Sequence, residues 1–229
     1  IFTDRPNVTD AVNTLSAGTF QIEAGYLYQS FSSSTNFTTY PNLSFKYGIV
    51  DWFELRLLTN YQRFEQNLDG ANSEVSGFSP LTISPKIKLT EQTTWVPKFS
   101  LATSFTFPDI GEEAFQNDKL NYGFRLLLEN ENGLPWSGGF GSDWGDSGET
   151  TWAYSWTTGA SLSEKVGFFV EIYGYFANDI DSQHSVDGGF TYLVNNNLQA
   201  DIIAGFPLNK FAPDFIFGFG LAWKTHFKN

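Results

Sequence analysis

Several residue types are missing from this 229-residue sequence, or nearly so. It has no cysteine, which excludes disulfide bonds and thiolate metal sites, and only two histidines, which leave little material for a histidine-based metal site. Charged residues make up 17% of the chain, and no run approaches the roughly 18 apolar residues that a membrane-spanning helix needs. We therefore expect no cofactor and no helical membrane domain.

Basic residues are also scarce, with 13 Lys and Arg against 25 Asp and Glu, so the formal charge is −12. This balance disfavours nucleic acid as a partner, because phosphates need a basic surface. Methionine is absent, and the sequence opens at Ile1 without a charged-then-apolar leader, so we expect a mature chain whose signal segment has been removed. Aromatic residues are abundant at 18%, and a chain this apolar is not expected to be disordered.

Apolar residues occupy alternate positions through most of the chain. From Phe217 to Trp223, for example, odd positions hold Phe, Leu or Trp, and even positions hold Gly or Ala. Strict alternation predicts strands with one apolar and one polar face, and no stretch has a helical period. The pattern predicts one domain with twelve strands, at residues 19–31, 37–49, 53–64, 78–90, 95–107, 118–130, 134–144, 150–162, 166–177, 184–194, 198–206 and 213–227.

The connections between these strands alternate between short turns, such as 50–52, and longer polar loops, such as 65–77. A soluble β-sandwich is the alternative, but its strands are usually five or six residues long. The predicted strands run about eleven to fourteen residues, the length that a tilted strand needs to cross a bilayer. We therefore predict an all-β fold, a transmembrane antiparallel up-and-down barrel of about 12 strands in the bacterial outer membrane, with lipid and lipopolysaccharide as partners.

Aromatic residues cluster toward the two ends of the predicted strands, as expected for rings at both headgroup levels. The sequence places Trp52, Trp95, Trp136, Trp223 and Phe227 near the short turns or the final strand terminus. It places Trp144, Trp152, Tyr154 and Trp156 toward the long loops.

In such a barrel the polar positions face an enclosed lumen. Cations concentrate on predicted strands two to six and acids on strands nine to one, so one wall is basic and the facing wall acidic. Either water separates the walls and a field crosses the pore, or the side chains pair and plug it. The predicted pore-lining residues are Glu23, Lys46, Glu54, Arg56, Lys86, Lys88, Lys98, Arg125, Glu129, Glu171, Asp187, Asp201 and Lys224.

Residues 1–17 precede the barrel, which is predicted to span 18–229. This polar segment is either a loose periplasmic tail or a segment that folds into the lumen, with Asp4 and Asp10 facing the basic wall. The long loops form an acidic, solvated outer face. Its acidic residues are Glu65, Asp69, Glu74, Asp109, Glu112, Glu113, Asp118, Asp146, Glu149, Asp179, Asp181 and Asp214.

Several short phrases carry a family resemblance: Thr3-Asp4-Arg5-Pro6, then Thr9-Asp10, residues 18–25 (GTFQIEAG), residues 79–81 (SPL), residues 85–89 (PKIKL) and residues 104–108 (SFTFP). They resemble the meta-pathway phenol-degradation transporter-like family of outer-membrane barrels. The resemblance implies a barrel and a channel for hydrophobic or aromatic compounds. Phe227 is followed by Lys228 and Asn229, a departure from the usual terminal aromatic residue.

The sequence thus predicts an outer-membrane channel or transporter for small solutes. The alternative is a non-conducting structural subunit of a larger complex, with other envelope proteins as partners. No enzyme is expected: His184 lies near Ser182 and Ser185, but a nucleophile, base and orienting group cannot be assembled from these residues.

Overall fold

The computed structural model describes residues 1–32, 34–68, 70–146, 148–178 and 180–227, with the backbone alone at 180. Asp69, Asp179, Lys228 and Asn229 therefore lie outside the described residues. One turn of 3-10 helix spans Glu113–Phe115, and no helix among the described residues is long and apolar enough to cross a membrane. The strands are β1 Thr19–Ser32, β2 Thr35–Val50, β3 Phe53–Leu68, β4 Ala71–Phe78, β5 Thr82–Thr90, β6 Lys98–Thr106, β7 Asn121–Asn130, β8 Trp136–Trp144, β9 Thr150–Ser161, β10 Val166–Ala177, β11 Ile180–Asn195, β12 Leu198–Pro207 and β13 Phe215–His226.

The strands form one closed antiparallel barrel. Closure comes from the pairing of β1 with β13, which sets Thr19 opposite His226. Both β4 and β5 pair with β3, β4 against its second half and β5 against its first half, so these two strands share one position in the wall. The prediction of a twelve-stranded up-and-down barrel is confirmed.

The interruption between β4 and β5 falls at Pro80, which has no N–H to donate to a neighbouring strand. Next to it, the Leu81 carbonyl oxygen accepts a 3.0 Å hydrogen bond from the backbone N–H of Phe107, just beyond the end of β6. The sequence predicted a loop over 65–77, and there the prediction is wrong. The structure extends β3 to Leu68 and folds β4 back against it as a hairpin.

The barrel buries its polar residues and exposes its apolar ones. Along β1, Gln21 and Glu23 are buried, whereas Phe20 and Ile22 on the opposite face are half-buried. Leu57 and Phe219, which are apolar members of the same pattern, are exposed. This inversion of the usual soluble-protein core is what a bilayer requires, because hydrocarbon contacts the outer face of the wall.

Exposed aromatic rings mark both ends of the barrel. Trp95 at the short-turn end is 92% exposed, and at the long-loop end Trp144 stacks on Tyr122 with ring centroids 5.3 Å apart. Trp156 was predicted at the long-loop end, and this is wrong. Its ring stacks on Trp136 at 4.3 Å, because the β8–β9 register places it beside the short turn that precedes β8.

Candidate functional site

Residues 1–17 lie inside the barrel, anchored first at the short-turn end. The Ala17 N–H donates to Asp51 Oδ1 at 2.9 Å, and the Thr14 hydroxyl donates to the Asp51 carbonyl oxygen at 2.7 Å. Farther along the segment, the Val12 carbonyl accepts a 2.6 Å hydrogen bond from the Ser100 hydroxyl, which projects from β6. Val12 and Ser100 are fully buried, so this contact lies in the interior of the barrel. Below, "the N-terminal segment" means residues 1–17.

Asp4 of the N-terminal segment meets three cations of the barrel wall. Its carboxylate forms a close ion pair with Lys46 of β2, and it lies 3.2 Å from Arg56 of β3 and 3.8 Å from Lys86 of β5. Asp10 adds a second carboxylate, 2.7 Å from the Arg56 guanidinium. Lys46, Arg56 and Lys86 are each at least 96% buried, so the segment supplies negative charge to cations that are shielded from bulk water.

Two of these cations also have a carboxylate of the wall as partner. Lys46 Nζ lies 2.5 Å from Glu23, and Lys86 Nζ lies 3.2 Å from Glu54. Both carboxylates accept further hydrogen bonds from the N-terminal segment, Glu54 from the Leu15 N–H at 2.8 Å. The wall and the segment therefore form one charge network, which satisfies buried ions that would otherwise be costly.

The acidic wall is met by donors of the same segment. Glu171 of β10 accepts hydrogen bonds from the backbone N–H groups of Val8 and Thr9, at 2.7 and 2.8 Å, and from the Thr157 hydroxyl at 2.7 Å. The Arg5 guanidinium lies 3.1 Å from Asp201 of β12. The segment thus turns acidic side chains to the basic wall, and amide and guanidinium groups to the acidic wall.

Two inward-facing glycines make room for Arg5. A Cβ placed on Gly25 would lie 2.1 Å from Arg5 Cζ, and one on Gly220 would lie 2.3 Å from Arg5 Nε. Gly25 and Gly220 are paired across the β1–β13 contact. The guanidinium therefore rests on a patch of bare backbone at the closure of the barrel.

The other predicted pore-lining cations lie away from this network. Arg125 pairs with Asp143 of β8 nearer the long-loop end, and Lys88 pairs with Glu91 at the short-turn end. Lys224 lines the cavity at the short-turn end. The predicted pore-lining cations thus occupy several depths of the barrel rather than one constriction.

Lys98 and Glu129 form another group at the short-turn end. Lys98 Nζ lies 2.8 Å from Glu129 and 2.7 Å from Glu131, which belongs to the turn between β7 and β8. The hydrogen bond from Lys98 lowers the pKa of the Glu131 carboxyl below its ordinary value. These ion pairs remain partly open to solvent, so they contribute less to the stability of the protein than the ion pairs of the buried network.

The N-terminal segment lies between two of the larger cavities of the barrel interior. The cavity on the long-loop side has a volume of about 500 Å³ and is bordered by Asp4, Arg5 and Asp10 together with Arg56 and Arg125. The cavity on the short-turn side has a volume of about 610 Å³ and is bordered by residues of the other part of the segment, including Asn13 and Leu15. A solute that crosses the barrel has to pass the segment.

Sequence reasoning missed the donors that the segment offers to the acidic wall, because backbone N–H groups carry no sequence signal. It also missed that Asp187, on the acidic wall, has no ion-pair partner among the described residues. The excess of cations on predicted strands two to six was a usable signal, since buried cations need partners from elsewhere.

Each histidine ring lies within hydrogen-bond distance of a hydroxyl group on another strand. The His184 ring nitrogen Nδ1 lies 3.0 Å from the Tyr154 hydroxyl, rather than beside Ser182 or Ser185. His226 Nδ1 lies 3.2 Å from the Thr19 hydroxyl at the short-turn end. Among the described residues, no group of three or more His, Asp or Glu side chains could hold a metal ion.

The family model described as "Putative MetA-pathway of phenol degradation" matches residues 3–225. The chain belongs to this family. The resemblance found in the short sequence phrases is thereby confirmed, and the N-terminal segment falls almost wholly within the part of the chain that the MetA-pathway family model covers. No curated protein matches the chain.

Solved structures share the fold of this MetA-pathway family member at low sequence identity. The COG4313 outer membrane channel from Pseudomonas putida F1 is 13% identical, with a TM-score of 0.74 over 93% of this chain and 98% of that one. The NanC porin is 10% identical, with a TM-score of 0.60 over 90% and 100% of the two chains. The translocator domain of the autotransporter NalP from Neisseria meningitidis is 9% identical, with a TM-score of 0.53 over 90% and 87%. The fold is that of bacterial outer-membrane barrels.

Proposed function

We propose that this chain is an outer-membrane channel for small solutes whose bore is set by the N-terminal segment. The observation that carries the proposal is the pair of lumen cavities, of about 500 and 610 Å³, that lie on either side of the segment. A barrel of twelve strands lies between eight-stranded barrels, which side chains fill, and the sixteen-stranded porins with an aqueous channel. The lumen of such a barrel is therefore wide enough for a small solute to pass, and the N-terminal segment fills much of it.

The lining favours solutes with polar or charged groups. The predicted pore-lining residues Arg56, Arg125 and Asp187 border the long-loop cavity together with apolar side chains, so the cavity suits solutes that combine a polar or charged group with an apolar part. Aromatic compounds that carry a hydroxyl or carboxyl group fit both this lining and the family's description. We therefore propose small polar solutes, with polar aromatic compounds as a narrower class.

The outer surface of the barrel supports the expected lipid partners. Lipid and lipopolysaccharide of the outer membrane would contact the exposed apolar faces of the strands, such as that of Phe219. We propose no enzymatic activity, which fits the Tyr154 partner of His184 and the roles named for the three similar structures, namely channel, porin and translocator domain.

Conductance in planar bilayers tests the channel proposal. Val12 and Ala102 lie in one buried cluster, so a Val12→Cys/Ala102→Cys pair would tie the N-terminal segment to β6 in a chain that otherwise has no cysteine. We expect the reduced protein to conduct like the native chain and the oxidised protein to conduct less, because the disulfide stops the segment from leaving the lumen. Removal of residues 1–15 should raise the conductance several-fold, because it joins the two cavities.

The same sample in two redox states controls for folding and for the substitutions themselves. Heat-modifiable migration in gels reports whether the shortened chain still forms a barrel. A shortened chain that folds and conducts nothing would refute the channel proposal and favour the structural-subunit alternative.

A further inference from the structure

Asp187 is a buried carboxylate that has no ion-pair or hydrogen-bond partner in the described part of the chain. It projects inward from β11 and is 4% exposed, and its Oδ1 atom accepts no hydrogen bond from any described residue. No lysine, arginine or histidine nitrogen of the described residues lies within 4.0 Å of it. A buried charge in this position is costly unless something else supplies the opposite charge.

The other carboxylates of the acidic wall show that the N-terminal segment does not fill this role. Glu171, which pairs with Asp187 in the β10–β11 register, takes both backbone N–H groups that the segment offers there. Asp201 takes Arg5, and Glu23 takes Lys46. Among the acidic residues of this wall, Asp187 is left facing the lumen rather than the segment.

The space in front of Asp187 is the long-loop cavity of about 500 Å³. Around the carboxylate this cavity is apolar and aromatic, since Tyr173, Ile203 and Ile216 line it and are themselves at least 93% buried. Gly205, directly across the β11–β12 pair, lets Asp187 lie against bare backbone: a Cβ there would be 2.8 Å from Asp187 Cβ. The carboxylate is thus held in place by packing, with Oδ1 enclosed by the wall, and the side chain borders the cavity.

We propose that Asp187 and the apolar residues around it form a binding site for a small organic cation, an ammonium group carried on an apolar body. The ammonium would donate hydrogen bonds to the Asp187 carboxylate, and the alkyl or aryl part would pack on Tyr173, Ile203 and Ile216. The phenol ring of Tyr173 adds an electron-rich face that favours a cation. Charged solute groups of the opposite sign would find Arg125 on the other side of the same cavity.

This site goes beyond the channel proposal, because binding in the long-loop cavity does not require passage past the N-terminal segment. Binding can be measured on the full-length protein in detergent, where no conductance is needed. If no cation binds at Asp187, the conductance experiment still tests the channel proposal. If the protein does not conduct, the binding experiment still tests the site.

Ligand-observed saturation-transfer NMR in maltoside micelles tests the site, with n-butylammonium as the probe and n-butanol and butyrate as comparison ligands. We expect the native chain to bind n-butylammonium at least ten-fold more tightly than n-butanol. Asp187→Asn should raise the Kd for n-butylammonium at least ten-fold, since it removes the charged partner of a buried ion pair. It should leave the weak binding of n-butanol unchanged.

Asp109→Asn is the matched control, because Asp109 is exposed on a long loop and its substitution changes the net charge equally. Asp187→Asn is isosteric and removes a buried carboxyl group that has no ion-pair partner among the described residues, so its thermal unfolding midpoint should be no lower than that of the native chain. Equal affinity of the native chain and Asp187→Asn for n-butylammonium would overturn the site. So would an equal loss in Asp109→Asn, or binding of butyrate that is tighter than binding of n-butylammonium.

Discussion

Asp4 should control how firmly the N-terminal segment is held in the lumen. The substitution Asp4→Asn keeps the shape of the side chain and removes the charge shared by Lys46, Arg56 and Lys86. Loss of one partner from a buried ion pair costs about 3–5 kcal/mol. Each of the three cations keeps a second carboxylate, at 2.5–3.2 Å, so we take the lower end, about 3 kcal/mol.

About 3 kcal/mol corresponds to a roughly 100-fold shift in the equilibrium between docked and released segment. Maleimide labelling of a single cysteine reports this equilibrium, and the chain has no native cysteine to interfere. Val12 is the site of choice, because its exposure is 0% when the segment is docked. When opening and closing are fast compared with labelling, the labelling rate follows the released population.

We therefore expect Asp4→Asn to raise the labelling rate of Val12→Cys about 100-fold. The control is Glu65→Gln, which removes the same charge from an exposed pair with Arg63 and should leave the rate unchanged. Equal labelling rates with Asp4 and with Asn at this position would refute the charge network as the force that holds the segment.

Two further predictions concern Gly48, which lies against the N-terminal segment, and the lipid-facing side of the wall. Gly48→Val should release the segment and raise the maleimide labelling rate of Val12→Cys at least ten-fold, because a Cβ at this position would lie 2.3 Å from the Ser16 carbonyl oxygen. Gly145→Ala is the control, since a Cβ there would have no neighbouring atom closer than 3.8 Å, and a similar labelling rate in both variants would contradict the close contact at Gly48. Phe219→Arg should lower the free energy of unfolding in lipid vesicles by about 2–4 kcal/mol, measured by urea titration, since Phe219 is 48% exposed on the outer face; an unchanged stability would contradict the assignment of that face to lipid.

The wall of the barrel could be predicted because its signal is local. Alternation within ten residues is enough to assign the faces of β13, where every second side chain from Phe215 to Trp223 is large and apolar. The prediction failed where strands continue without that signal. β4 is polar and largely exposed, so it carries no apolar alternation and was taken for a loop.

The charge network could be predicted only in outline. Parity places Lys46 and Glu171 inside the barrel, but which inward side chains share a depth depends on the stagger of twelve strand positions, and sequence periodicity does not fix that stagger. The N-terminal segment has no period at all, and its contacts with Glu171 are made by main-chain amides. The unpaired state of Asp187 follows from the same stagger and was out of reach for the same reason.

The position of the N-terminal segment also bears on the order of assembly. Asp4 contacts β2, β3 and β5, whereas Arg5 contacts β12, so two adjacent residues link strands on both sides of the β1–β13 closure. Asp4 can therefore meet its partners once the early strands have formed, whereas Arg5 can meet Asp201 only when β12 has joined the same sheet. The Arg5–Asp201 pair thus ties the first part of the barrel to the last from inside the lumen, and it can form only late in assembly.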